Sequence, residues 1–219
     1  MEKTELLTAV TSSQYCQRNW DLSKNVDPET IDWLMTVGYS TPTKQNLDTF
    51  EVVCIKDRSI IQQFSKAATN PDYNSDLLGN NLKTQMERGR TQNPQTDSNL
   101  LFLFFHKPDE RTSDIRQRRE GGNPQEKIKY KHCTGFEMGL SASAIAIAAN
   151  SIGLRSGFCR CIWHDILPQD ILDQYNLDRR NLEIMLGIGY PLHNDHTLHT
   201  DGVHRNKSLN KVTPRKLII

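Results

Sequence analysis

No stretch of this 219-residue chain approaches the 18 or more apolar residues a membrane-spanning helix needs. The longest such run, Ala142 to Ala149, is short, alanine-rich and interrupted by Ser143. Charge of one sign is lacking too: 27 Lys and Arg against 26 Asp and Glu leave a formal net of +1. That balance argues against the basic surface of a dedicated nucleic-acid binder and against an acidic disordered tail. Met1 to Glu5 carry no basic start leading into an apolar core, so the expectation is a cytoplasmic protein without export or membrane contact. Five cysteines, an odd count, speak against a disulfide framework and for a reducing compartment. Internal repeats and low-complexity segments are also missing.

What is present suffices for one domain. At 36% apolar and 24% charged residues, a chain of this size buries about 70% of its unfolded surface. We read residues 1–219 as a single domain with a charged excursion or lid at about 106–131 and a basic tail at about 203–219. A first helix is expected over residues 5–18, with Leu6, Leu7, Val10 and Tyr15 on one face. Asp27-Pro28-Glu29 supplies a cap, a first-turn proline and an early acid, so a second helix should start at Pro28 and stop before Thr41-Pro42. Phe50 to Ile55, Leu100 to Phe105 and Leu182 to Ile188 read as buried strands, and Phe158 to Trp163 as a short one. Ser59 to Ala68 and Pro168 to Tyr175 read as helices, while Thr69 to Ser98 is polar and a poor place to look for core. Phe136 to Leu154 is the strongest helix: its small residues on nearly every side imply several close neighbours, with Gly153 as its stop. Strands separated by helices on one core make an α+β protein.

Two polar segments attract attention. Arg18 lies where the first helix gives way to the Asn19-Trp20-Asp21 turn, and Arg205 and Lys207 lie in the acid-free tail; brought together they would clamp a phosphate. Pro42-Thr43-Lys44-Gln45-Asn46 offers donors and acceptors suited to the edge of a heteroaromatic ring, or simply a polar turn.

The segment Gln14 to Asp21, the Pro28 helix and Thr41 to Asn46 before the Phe50 strand resemble the opening of the FMN-dependent nitroreductase family. Asn150-Ser151-Ile152-Gly153-Leu154-Arg155-Ser156-Gly157 is similar to the end of that family's central helix and the segment after it. Leu186 to Pro191 resembles its last core strand, and Arg205-Asn206-Lys207 its C-terminal basic pair. The resemblance implies a mostly antiparallel sheet flanked by helices, with FMN at a homodimer interface. It also implies hydride transfer from NADH or NADPH through the flavin to a small, flat, electron-poor acceptor such as a nitroaromatic or quinone. Carried over position by position, Gln14, Tyr15, Cys16 and Arg18 would lie at the ribityl phosphate and ring, with Arg205 and Lys207. Pro42, Thr43, Lys44 and Asn46 would come from the partner chain, and Cys159, Arg160 and Cys161 would run along the ring. No side chain need act as acid or base, because the chemistry is the flavin's.

The departures matter as much. Gln14 and Cys16 stand where the family carries arginine and serine, and Arg160-Cys161 stands where an acid and a glycine are common. These keep open a flavin-fold binding or regulatory module without turnover. Cys159-x-Cys161-x-x-His164 and His193, His196, His199 and His204 raise a zinc reading, and Cys159 with Cys161 a redox-thiol reading. Cys16, Cys54 and Cys133 read as packing residues, His132 and His164 as satisfied or surface histidines, and Trp20 and Trp33 as core.

Overall fold

Four strands form one sheet in the order β1-β2-β4-β3, with every neighbouring pair antiparallel: β1 Phe50–Ile55, β2 Leu100–His106, β3 Arg155–Cys159 and β4 Leu182–Gly189. The computed structural model describes residues 2–43, 46, 48–68, 93–107 and 124–192, with backbone only for 124–133. The helices are α1 Lys3–Ser13, α2 Pro28–Tyr39, α3 Arg58–Lys66, α4 Pro124–Ser151 and α5 Gln169–Asp173.

β2 and β4 occupy the middle of the sheet because their sequences are apolar at consecutive positions, which only a strand covered on both faces tolerates. Phe102, Phe104, Leu186 and Ile188 face a core completed by Leu34 of α2 and Met138, Ala142, Ile145 and Ala149 of α4. Leu101, Leu103, Phe105 and Met185 face the other core, with Ile61 and Phe64 of α3 and Leu172 of α5. The sheet is therefore sandwiched between two helical layers, the α+β arrangement expected. α1 and α2 both pack on α4, whose small residues admit them. Ser141 Oγ donates to Gly38 O at 2.9 Å across the α2–α4 contact.

α2 starts at Pro28 as expected. Asp27 caps it, accepting from Thr30 N at 2.8 Å. Gly153 ends the central helix with φ +87°, a conformation costly for other residues. Other expectations need correction. α1 ends at Ser13, so Tyr15 to Arg18 lie beyond the helix, and its buried residue is Ala9 while Leu6 and Leu7 are exposed. Trp33 is 40% exposed rather than core, whereas Trp20 is buried and donates to Pro94 O at 3.0 Å. β3 occupies Arg155–Cys159, and Arg160 to Trp163 leave the sheet. The helix expected from Phe136 begins at Pro124, so the last part of the charged stretch is helical. β1 is an edge strand with alternating burial, not a fully buried one.

Asn93 to Asn99, in the polar region expected to hold little core, is tightly enclosed. Gln95, Thr96 and Ser98 are buried against β3 and β4. Gly187 makes room for them: a Cβ there would sit 1.9 Å from Gln95 O. The rest of that polar region, residues 69–92, residues 108–123 of the excursion and the tail lie outside the described residues.

Candidate functional site

An unpaired β3 edge would expose a row of backbone donors and acceptors. The segment after α1 covers it. Gln17 N donates to Ser156 O at 2.9 Å, Asp21 N to Tyr190 O at 2.8 Å, and Leu192 N to Asn19 O at 3.1 Å. Trp20 bridges to Pro191, and Gln17 is buried with its side-chain amide donating to Asn19 O. These bonds end α1 at Ser13, because backbone groups satisfied on β3 cannot also serve a helix.

The same pairing brings two sequence-distant sets together. Cys16 Sγ lies 3.8 Å from Phe158 O, and Arg18 Nη1 donates to Cys16 O at 3.1 Å. Gln14 caps the C-terminus of α1 and is exposed, and Tyr15 is half-buried beside it. Opposite them, Cys159 is buried with its thiol 3.7 Å from Cys161 O, while Arg160 and Cys161 are exposed. Burial pushes the Cys159 thiol up to about 12. Gln14, Tyr15, Cys16, Arg18, Cys159, Arg160 and Cys161 thus gather at one corner of the fold.

Three residues unforeseen in the sequence complete that corner. Phe158 is 37% exposed, a large apolar side chain left open. Gln95 donates through Nε2 to Phe158 O at 3.3 Å, and its buried Oε1 has no hydrogen-bond partner. Glu183 is the third. Phe104 pairs with Ile184 but Phe105 with Leu182, so Glu183 is the extra residue of a β-bulge. Its carboxylate joins two groups: Oε2 meets Arg160 Nη2 at 3.0 Å and Oε1 meets His106 Nε2 at 3.0 Å. Only Glu183 had left a trace, as the one acid inside an otherwise apolar strand.

Pro42, Thr43 and Asn46 are elsewhere. They lie between α2 and β1, with Asn46 at φ 58° and its N–H on Thr43 O at 3.2 Å. β1 and β3 are opposite edges of the sheet, separated by three inter-strand steps, about 14 Å at the usual spacing. Lys44, Arg205 and Lys207 lie outside the described residues.

His164 Nε2 is engaged with Leu182 O at 2.9 Å, and among the described residues no three His, Cys, Asp or Glu side chains are grouped to hold a metal. His193, His196, His199 and His204 lie outside the described residues. A groove of ≈ 510 Å³ lined by Gln169, Asp173, Asn176, Leu177 and Asp178 to Arg180 contains none of the corner residues. Its lining is polar and open to solvent, so the corner, with its exposed aromatic and orphaned acceptor, is the better candidate for a flat ring. Among the described residues no helix is long and apolar enough to cross a membrane.

No protein-family model and no curated protein matches the sequence. Solved structures do. A nitroreductase-like protein from Streptococcus mutans aligns over 98% of this chain and 100% of its own, at 14% identity and TM-score 0.61. An FMN-dependent nitroreductase from Clostridium difficile aligns over 96% and 99%, at 13% identity and TM-score 0.54. A Staphylococcus epidermidis protein described as an NAD(P)H:FMN oxidoreductase aligns over 86% and 88%, at 13% identity and TM-score 0.55.

Proposed function

From the nitroreductase-like fold that this chain has, we propose that it is an FMN-dependent oxidoreductase working as a homodimer, with a reduced nicotinamide as donor and a flat electron-poor acceptor such as a nitroaromatic or quinone. The observation that carries the reading is the corner where Gln14 to Arg18 meets Phe158 to Cys161, joined through Phe158 O. FMN, when bound, supplies a ring that takes hydride from the nicotinamide and passes reducing equivalents to the acceptor. The corner suits such a ring chemically. Phe158 offers an exposed apolar surface, and Gln95 Oε1 is a buried acceptor still lacking a donor.

The chain's own residues then have definable tasks. Arg18 contributes the cation for the phosphate, joined by Arg205 and Lys207, and Gln14 and Tyr15 flank it. Cys16, Cys159, Arg160 and Cys161 border the ring. Arg160, at 73% exposure, is steered by Glu183. Pro42, Thr43, Lys44 and Asn46 come from a second copy; the segment that holds them leads into β1, the sheet edge opposite β3. Exposed Leu6 and Leu7 on α1, Trp33 and Tyr39 on α2 and Phe136 on α4 give that second copy apolar surface to cover.

Titration of the cofactor-stripped protein with FMN, followed by flavin fluorescence, tests the reading. One charge-assisted phosphate bond is worth about 1.5–3 kcal/mol, so Arg18→Ala should weaken binding about 10- to 150-fold, and Gln14→Arg should tighten it. A wild-type chain that binds no FMN at tens of micromolar, or an Arg18→Ala chain that binds it equally well, contradicts the proposal.

A further inference from the structure

The fold gathers three of the five cysteines at the edge of β3. Cys159, the last residue of that strand, is 3% exposed, and its thiol is 3.7 Å from the Cys161 carbonyl. The chain turns at Cys161: Ile162 N donates to Arg160 O at 3.0 Å, a three-residue turn with Cys161 at its centre, two residues beyond Cys159. Cys16 approaches from the covering segment, its Sγ 3.8 Å from Phe158 O. Exposure is graded, with Cys161 open to solvent, Cys16 partly covered and Cys159 buried.

We propose that Cys159 and Cys161 form a peroxide-sensitive dithiol, in which Cys161 is oxidised first and then closes a reversible disulfide with Cys159. The Cys161 thiolate attacks one peroxide oxygen; the O–O bond breaks, the departing hydroxide takes up the thiol proton as water, and Cys161 becomes a sulfenic acid. The Cys159 sulfur then attacks Cys161 Sγ, the S–O bond breaks, and the hydroxyl leaves as water with the Cys159 proton. Two thiols and one peroxide give one disulfide and two waters. Burial sets the order, because it shields Cys159 and keeps it protonated until an electrophilic sulfur is generated beside it. A ring closed across one intervening residue gains little loop entropy, so a mild dithiol reverses it.

Trypsin places the three thiols in separate peptides, Thr4–Arg18, Ser156–Arg160 and Cys161–Arg179, which makes the pairing directly readable. The reduced full-length chain, titrated with hydrogen peroxide, should fall from five titratable thiols to three. Non-reducing digestion should then show Ser156–Arg160 cross-linked to Cys161–Arg179, a link that dithiothreitol removes. Cys161→Ser, at an exposed position that does not threaten folding, should abolish the link, and Cys16→Ser should retain it. Sulfinic acid at Cys161 with no cross-link, or a link from Cys159 to Cys16, overturns the inference. The measurement needs no cofactor, so its outcome is independent of the FMN reading.

Discussion

Gly187→Ala asks whether the buried polar segment Asn93 to Asn99 holds the candidate site in place. Gly187 lies in β4 with both faces covered, and its added Cβ would fall 1.9 Å from Gln95 O and 2.8 Å from Ser98 Oγ. The first neighbour is a backbone carbonyl, which cannot swing away as a side chain can, so the whole Pro94–Thr96 turn must shift. Overpacking of a dense core costs about 1–3 kcal/mol, and displacement of backbone places this case at about 3 kcal/mol. Ala fits a strand better than Gly by about 0.5–1 kcal/mol, too little to reverse the sign. At about 2–4 °C per kcal/mol for a chain of this length, the net cost of about 2–2.5 kcal/mol should lower the midpoint by about 4–10 °C in thermal melts followed by far-UV circular dichroism. FMN binding should weaken as well, because the displaced Gln95 is the side chain that donates to Phe158 O. Gly139→Ala is the control: its Cβ meets nothing within 4 Å, and on a helix it should stabilise by about 0.5–1 kcal/mol. A Gly187→Ala midpoint within about 2 °C of wild type would refute the reasoning.

The Arg160–Glu183 pair yields opposite effects from its two members. Arg160→Ala should lower the flavin midpoint potential, since a cation near the ring favours the reduced anion; Glu183→Gln, which leaves Arg160 uncompensated, should raise it, and equal potentials in a redox titration would sink the idea. The caps predict the acid response. The Ser59 hydroxyl and the Ile60 and Ser59 N–H groups hold Asp57 below the usual 3.8, and Thr30 does the same for Asp27. Groups with a depressed folded pKa stabilise above 3.8 and lose that contribution as pH falls through the folded value. Asp57→Asn should therefore be less stable at neutral pH and show a shallower loss of midpoint on acidification below about pH 4; a slope equal to wild type contradicts the cap's role.

Where signals were local, the sequence was readable. Asp27-Pro28-Glu29 marks the α2 start because capping and proline geometry act within one turn. Leu100 to Phe105 reads as a central strand because only two covering layers accommodate six consecutive apolar side chains. Where the deciding contact was distant, the reading slipped. Nothing between Ser13 and Arg18 breaks a helix; α1 stops because β3, far along the chain, has an edge to cover. β3 itself was placed late because Phe158 to Trp163 holds more apolar residues than Arg155 to Gly157, yet pairing with β4 selects the earlier register. Trp33 reads as core yet is 40% exposed, because apolarity alone does not distinguish a core position from an exposed one. In the candidate site, only the family resemblance puts Cys16 and Cys159 to Cys161 at one ring; nothing in the residues themselves marks them as neighbours. Gln95 left no signal at all, since a glutamine in a polar stretch is ordinarily solvated.

A flavin held at this corner, within reach of a reduced nicotinamide, is open to one direct test. Protein loaded with FMN, desalted and made anaerobic should keep flavin bands near about 370 and 450 nm and lose the longer one on addition of NADH or NADPH. Retained bands that neither nicotinamide bleaches would contradict the oxidoreductase and favour a flavin-binding module; a colourless protein would contradict the cofactor itself.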